Sequence, residues 1–179
     1  MSEAALKQDP SELPTTPEML LAHLDGLGLT YDLHHHEAVF TVAESEKLDA
    51  TIPGVHCRNL FLRDKRKKNY LVVLRNETEV DMKKLPPVIG AERLSFGSAD
   101  RLWEFLGVWP GSVCPFSIIN DTDKQVKILL DKAMMEGDIV NYHPLINTMT
   151  VSLAPADLLR FIESCGHEPH IVDLTPAKP

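Results

Sequence analysis

The side chains able to do chemistry in this chain of 179 residues lie in three separate segments. Arg58 precedes an Asn-Leu-Phe-Leu run that begins at Asn59. Gly111 begins a Gly-Ser-Val-Cys-Pro loop, and His143 begins a His-Pro-Leu-Ile-Asn-Thr segment. A guanidinium binds anions, a glycine lets backbone N–H groups approach a carbonyl, and a histidine exchanges a proton near neutral pH. Such groups suit a hydrolysis that is catalysed by positioning and electrostatics without a protein nucleophile.

The motifs of the common hydrolases, NTPases and dehydrogenases are absent from the sequence. It contains no GxSxG, HExxH, GxxxxGK[ST] or GxGxxG. His34, His35 and His36 are adjacent on a predicted strand, so their side chains alternate between its two faces and cannot converge on one ion. We therefore expect neither a metal nor a cofactor.

One sector of the chain is basic, although the formal net charge is -8. Half of the 18 basic residues fall between Arg58 and Lys84. An acidic protein with one basic sector can bind a polyanion there. A short basic run is also commonly a solvated hairpin turn, and both interpretations stay open at this point. The densest part of the sector comprises Arg63, Lys65, Arg66, Lys67 and Lys68.

The elements that must position these residues are predicted from caps and apolar spacing. Helix signals follow Thr16 and Thr41, and further helices are expected at residues 81–89, 98–106 and 155–165. A β-hairpin with a charged turn is the clearest element, formed by runs 59–62 and 70–74. Other strands are expected at residues 31–35, 116–120, 126–131, 139–142 and 148–153.

These elements predict an α/β (mixed α+β) fold in a single domain. A mixed or mostly antiparallel sheet flanked by helices is expected over residues 14–174, with residues 1–13 and 175–179 as flexible tails. Three widely spaced cysteines suggest reduced thiols rather than a disulfide framework. Because the chain lacks a signal-like or membrane-length apolar run, we expect it in the cytoplasm.

Three segments, taken in order, resemble the family of prolyl-tRNA synthetase editing domains and their free-standing relatives. They are residues 57–64, 111–115 and 143–150, with Phe40-Thr41-Val42 and Pro53-Gly54-Val55-His56 upstream. The resemblance spans about residues 20–173. The run Asn-Leu-Phe-Leu-Arg-Asp followed by a basic turn is most similar to the stand-alone alanyl-tRNA(Pro) deacylases of this YbaK-like family.

The resemblance implies a curved mixed sheet, a small amino-acid pocket and a trans-editing hydrolase. Its substrate would be alanine esterified to the tRNA for proline, with prolyl-tRNA synthetase or an elongation factor as a transient partner and with no membrane. Catalytic roles are implied for Arg58, Asn59, Gly111 and His143. Substrate-binding roles are implied for Phe40, Thr41, Ser112, Cys114, Pro115 and Asn147. Contacts to tRNA are implied for Arg63, Lys65, Arg66, Lys67 and Lys68.

One residue departs from the family pattern. Relatives carry lysine immediately before the asparagine of the Asn-Leu-Phe run, whereas this chain has Arg58. Arginine keeps the positive charge but does not readily give up a proton. Three alternatives therefore stay open: a deacylase for serine or cysteine, a non-catalytic nucleic-acid-binding or synthetase-associated module, and a small-molecule-binding domain.

Overall fold

A computed structural model describes residues 8–179 of the chain. The strands are β1 (Tyr31–His35), β2 (Val55–Asp64), β3 (Asn69–Arg75), β4 (Leu94–Phe96), β5 (Val126–Asp131), β6 (Val140–Tyr142), β7 (Met149–Leu153) and β8 (His170–Val172). The α-helices are α1 (Pro17–Gly26), α2 (Val42–Asp49), α3 (Leu85–Ile89), α4 (Ala99–Leu106), α5 (Lys132–Met135) and α6 (Pro155–Ser164). Short 3-10 helices span Pro10–Glu12, Pro115–Asn120 and Thr175–Ala177.

The strands form one mixed sheet in the order β1-β7-β6-β2-β3-β5-β8, and β4 adds to β2. The pairs β1–β7, β6–β7, β2–β3 and β2–β4 are antiparallel. The pairs β2–β6, β3–β5 and β5–β8 are parallel. The predicted fold class, a mixed α/β domain, is confirmed.

Apolar side chains pack on both faces of the sheet because neighbouring residues of a strand point in opposite directions. Phe61 of β2 joins a large cluster that includes residues of α1, α4 and α6. The next residue, Leu62, joins a smaller cluster with Leu85 and Ile89 of α3. The sheet therefore has helices on both sides, and its central strands are buried.

Local capping signals correctly predict where α1, α2 and α4 begin. The Thr16 hydroxyl accepts a hydrogen bond from the Met19 amide, and Thr41 and Glu44 form a complete capping box. Ser98 caps α4, which ends at Gly107 in the left-handed conformation. Among the described residues, no helix combines the length and apolar character needed to cross a membrane.

The strand predicted at residues 116–120 is wrong: this segment is a 3-10 helix. Pro115 supplies no backbone N–H for a sheet ladder, and the Ser117 amide and hydroxyl both donate to the Cys114 carbonyl. Phe116 and Ile118 are buried in the large core cluster. A short apolar run buried on all sides looks the same in sequence whether it is strand or helix.

Other boundaries also differ from the sequence prediction. The helix expected at residues 81–89 covers only Leu85–Ile89, because a turn formed by the Lys84 and Leu85 amides on the Asp81 carbonyl precedes it. The short elements β4, α5 and β8 carry too few residues for a periodic signal and were not predicted.

The ends of the described chain pack against the domain. Residues 1–7 of the expected N-terminal tail lie outside the described residues, whereas Leu13 is buried in the large core cluster. At the other end, Ala177 is buried in the smaller cluster, and its carbonyl accepts a hydrogen bond of 2.7 Å from the Asp81 amide. Leu13 and Ala177, each within a segment expected to be a flexible tail, therefore contribute to the core.

Candidate active site

A cleft opens where the parallel strands β2 and β6 separate. They are paired only at Val55–Val140 and His56–Asn141, and β4 pairs with the far end of the same edge of β2, at residues 62–64. Residues 57–61 of β2 thus have no strand partner on that edge among the described elements. A cavity of about 50 Å³ occupies this gap, and its lining includes Asn59, His143 and Thr150.

His143 follows β6 directly, lines this cleft and has one ring nitrogen available as an acceptor. Its Nδ1 lies 2.9 Å from the Met149 carbonyl, which can only accept, so Nδ1 carries the proton. Burial, followed by the nearby His36, lowers the pKa of His143 below 6.5, while the Met149 bond and Asp49 oppose that shift. Near neutral pH the ring is therefore uncharged, and Nε2 has a free lone pair.

Asn59 contributes a second acceptor to the cleft lining. Its Oδ1 is buried and has no hydrogen-bond partner among residues 8–179. A buried unpaired carbonyl oxygen costs about 1–3 kcal/mol relative to a paired one. Such an atom is expected where a ligand supplies the missing donor. Asn59 and His143 are the two predicted catalytic residues that the structure brings together in the lining.

His36 lies beside the cleft lining, and the sequence did not predict it as a site residue. Its Nδ1 lies 2.8 Å from the Glu37 carbonyl, which requires a proton on Nδ1 in the neutral ring, and its Nε2 lies 2.9 Å from the Thr150 hydroxyl. The ring centroid is 5.9 Å from that of His143. His36 thus orients the Thr150 hydroxyl and packs beside His143. The triple-histidine run gave no reason to single out its last member.

A carboxylate and an imidazole form one wall of the cleft. His56 Nε2 is 2.7 Å from the Ile52 carbonyl, and Nδ1 is 3.2 Å from Asp49 Oδ1. The Ile52 carbonyl accepts a hydrogen bond from Nε2–H, and the other ring nitrogen faces the Asp49 carboxyl group. Burial raises the pKa of Asp49, and His56 opposes that rise. The pair joins the end of α2 to β2.

Arg58 points to the opposite face of β2 from Asn59, as alternation along a strand requires. Its guanidinium donates to three carbonyls of the segment after β3, at 3.2 Å to Arg75, 2.8 Å to Asn76 and 2.6 Å to Thr78. Arg58 also lines a wider depression of about 660 Å³, which shares Cys57, His56 and Asp49 with the cleft. In the structure this side chain holds the 75–78 segment in place.

Gly111 does not line the cleft, but Asn147 lies between it and the cleft lining. Its φ of 88° is in the left-handed region, and a β-carbon placed there would be 4.0 Å from Asn147 Nδ2. Asn147 Nδ2 in turn donates to the Val39 carbonyl at 3.4 Å, and Val39 lines the cleft. Glycine is required at position 111 by its backbone conformation and not by crowding.

The rest of the Gly111 loop lies beneath the surface. Ser112, Cys114 and Pro115 are buried, and none of the three lines the cleft. Burial raises the pKa of the Cys114 thiol to about 11, so the thiol is protonated near neutral pH. These side chains can support the loop, but in this conformation they do not face the cavity.

Phe40 and Thr41 precede the helix that forms another wall. Phe40 is 46% exposed, and its amide donates to Glu44. Thr41 begins α2, which carries Ser45, Leu48 and Asp49 into the lining. Thr41 therefore helps to position α2 and does not itself line the cleft.

The predicted tRNA-binding residues lie away from the cleft. Lys65, Arg66, Lys67 and Lys68 form the exposed turn of the β2–β3 hairpin, and the Asp64 carboxylate accepts the Arg66 and Lys68 amides at 2.9 Å each. Arg63 is the penultimate residue of β2, and Arg66 pairs with Glu92 at 2.8 Å. At about 3.3 Å per residue, the turn begins about 20 Å from Asn59.

Comparison with known proteins identifies the class. Residues 36–161 match the family model of the aminoacyl-tRNA editing domain, and the chain belongs to this family. The enzyme class predicted from the sequence, an aminoacyl-tRNA deacylase, is thereby confirmed.

Individual relatives cover almost the whole chain. It is 36% identical to the "Prolyl-tRNA editing protein ProX" of Acetoanaerobium sticklandii, over 88% of this chain and 96% of the relative. It is 35% identical to the "Prolyl-tRNA synthetase associated domain-containing protein 1" of Mus musculus, over 84% of this chain and 91% of the relative. A crystal structure described as a candidate trans-editing enzyme for prolyl-tRNA synthetase superposes on this chain with a TM-score of 0.66 at 16% identity. The superposition covers 93% of this chain and 99% of that protein, and it supports the fold.

Proposed function

We propose that this protein hydrolyses the ester of alanyl-tRNA(Pro), releasing alanine and free tRNA. The observation that carries the proposal is the pair of acceptors in one small cleft, His143 Nε2 and Asn59 Oδ1, neither of which has a protein partner among the described residues. An aminoacyl ester offers donors for both, in its α-ammonium group and its ribose hydroxyl. The names of the relatives from Acetoanaerobium sticklandii and Mus musculus support the proline tRNA as the substrate.

The proposed reaction needs no protein nucleophile. Water adds to the ester carbonyl, the bond from that carbon to the ribose oxygen breaks, and the ribose oxygen takes a proton. His143 Nε2 accepts a hydrogen bond from the ribose hydroxyl or the attacking water, and Asn59 accepts one from the ammonium group. Gly111 supplies a rim on which backbone N–H groups can approach the carbonyl. Arg58 acts by holding the 75–78 segment beside the depression that would receive the terminal adenosine.

Selection for alanine follows from the size of the cavity. About 50 Å³ accommodates a small side chain, whereas a proline ring requires its walls to move apart. The walls near the gap are Cys57, Tyr142 and Leu48. Exclusion of the cognate amino acid is therefore steric.

Serine is the second candidate, because the cavity also presents polar atoms. The Thr150 hydroxyl and Asn59 Oδ1 can hydrogen-bond a serine side chain. A pocket sized for a methyl group rejects an added hydroxyl only weakly. Alanine and serine esters must therefore be compared directly.

The test is deacylation of alanyl, seryl, cysteinyl and prolyl esters of the tRNA for proline. Wild type is compared with His143→Gln and Asn59→Leu, and the control is His35→Gln at an exposed histidine of β1. We expect release of alanine but not proline, and a loss of about 100-fold or more in kcat/KM for both site variants. Asn59→Leu should also keep or raise the free energy of unfolding, because it removes an unpaired buried oxygen.

Three outcomes would overturn parts of the proposal. If the wild type releases no amino acid, the proposed reaction is wrong. If it releases serine faster than alanine, serine replaces alanine as the proposed substrate. Site variants as active as His35→Gln would remove the roles of His143 and Asn59. A cytoplasmic location and transient contact with prolyl-tRNA synthetase or an elongation factor stay predictions, which fractionation and co-purification from the source cells would check.

A further inference from the structure

A second concave surface lies at the end of the sheet opposite the cleft. Its volume is about 690 Å³, and it forms where the β2–β3 turn, the start of β5 and the segment after α6 meet. Lys67 and Lys68 reach it from the hairpin turn, and Lys124 and Lys127 reach it from the beginning of β5. Two distant parts of the sequence thus place four lysines on one surface, here called the basic surface.

The charge of the basic surface is not neutralised by the protein. Within residues 8–179, no carboxylate lies within 4.0 Å of the amine of any of these four lysines, in contrast to the pairing of Arg66 with Glu92. Glu168 is the one acidic residue among the described residues that line it. A concentrated positive patch on a chain of net charge -8 attracts an anionic partner to that patch.

The backbone fixes the positions of two of these lysines. Lys67 and Lys124 have φ values of 65° and 55°, in the left-handed region where glycine and asparagine are favoured. A β-carbon at Gly166 would lie 2.8 Å from Lys124 Cε, so the glycine leaves room for the lysine side chain. Lys124 Nζ also donates to the Thr122 carbonyl at 3.0 Å. The amine of Lys124 is therefore held at the surface.

We propose that the basic surface binds the phosphate backbone of the acceptor stem of the tRNA substrate. This inference rests on the proposed function, since it assumes that the terminal adenosine occupies the cleft side of the molecule. Strand β3 runs from Asn69 at the basic surface to Arg75, which is paired with Cys57 at the cleft, a span of about 20 Å. A nucleic acid bound at the cleft carries further phosphates over that distance, and lysines contact them without reading sequence.

The experiment compares charge reversals at the two ends of β5. Lys127→Glu and Lys124→Glu alter the basic surface, and Lys132→Glu changes the net charge equally at an exposed lysine beyond the other end of the strand. Hydrolysis is measured with alanyl-tRNA(Pro) and with the alanyl ester of the trinucleotide CCA, which has no stem. Binding of uncharged tRNA(Pro) is measured separately by fluorescence anisotropy at several salt concentrations.

We expect each reversal at the basic surface to lower kcat/KM for alanyl-tRNA(Pro) about tenfold. The kcat/KM for the alanyl ester of the trinucleotide should stay unchanged, because that substrate has no stem. The slope of log affinity against log salt for uncharged tRNA should fall by about one per reversed lysine, and Lys132→Glu should match wild type in every assay.

Surface variants that bind and hydrolyse the tRNA as Lys132→Glu does would overturn the inference, as would equal losses on the trinucleotide. Failure of the proposed function is distinguishable from these results. In that case wild type hydrolyses neither ester, while the binding measurement still shows whether the lysines hold RNA.

Discussion

At the scale of single residues, three neighbouring side chains set the chemistry of the cleft. His36 binds the Thr150 hydroxyl through Nε2 and lies beside His143, whose other contact is the Met149 carbonyl. Each histidine has its Nδ1 proton fixed by a carbonyl, so the free lone pair of His143 is set by hydrogen bonds and not by chance rotation. The acceptor in the cleft depends on the ring staying neutral.

The pH dependence of the reaction follows from this requirement. Because the pKa of His143 is below 6.5, the ring is neutral at pH 7, and kcat/KM should be level there and fall as pH drops through that lowered pKa. His36 is one cause of the lowering, so His36→Ala should raise the pKa of His143 and move the acid limb to higher pH. Initial rates between pH 5 and 8, with His35→Ala as the control, measure this shift. An acid limb at the same pH in both variants would show that His36 does not act through His143.

At the scale of elements, the gap between β2 and β6 forms the cleft, and the Gly111 loop lies near its lining. Strand β7 and the segment after β6 bring Thr150 and His143 to the gap, and Asn147 lies between the Gly111 loop and Val39 of the lining. The loop itself is anchored by buried residues, including Cys114 and Pro115.

Two glycine substitutions separate backbone strain from ordinary helix propensity. Gly111→Ala should lower the free energy of unfolding by about 1–2 kcal/mol, because φ of 88° is unfavourable for a residue with a β-carbon. Gly26→Ala, at the last residue of α1 where a β-carbon meets no atom within 4 Å, should raise it by about 0.5 kcal/mol. Urea denaturation of both variants gives the comparison. Equal changes in the two would mean that the Gly111 loop relaxes at no cost.

At the scale of the whole molecule, the packed core keeps all three thiols chemically quiet. Burial raises the pKa of Cys57 to about 12 and of Cys114 to about 11, and it raises that of Cys165 as well. Reaction with a disulfide reagent needs the thiolate. The fold, and not the sequence spacing, decides this reactivity.

Titration with an aromatic disulfide at pH 7.5 checks the packing. Native protein should react slowly, at Cys165 first, since Cys114 is fully buried, and all three free cysteines should react once the chain is unfolded in guanidinium. A Cys165→Ser variant should lose the slow native reaction. Rapid labelling of Cys57 in the native state would contradict the raised pKa and indicate that the cleft opens widely.

The sequence by itself determined the features that depend on nearby residues. The caps at Thr16, Thr41 and Ser98 and the hairpin of β2 and β3 were predicted because a cap or tight turn involves only a few neighbouring residues. The three motif segments likewise indicated the family, since their residues and order are written in the chain. The apolar run at residues 116–120 was ambiguous at this range, and the strand prediction there was wrong.

Only the tertiary structure decided which side chains share a site. Asn59 and His143, 84 positions apart, both line the gap where β2 and β6 separate. The pairing of β1 with β7 brings His36 to Thr150. The same packing buries Cys114, directs Arg58 to backbone carbonyls and gathers Lys67 and Lys124 on one surface. Long-range strand pairing reflects the burial of the whole sheet, so no local pattern specifies it.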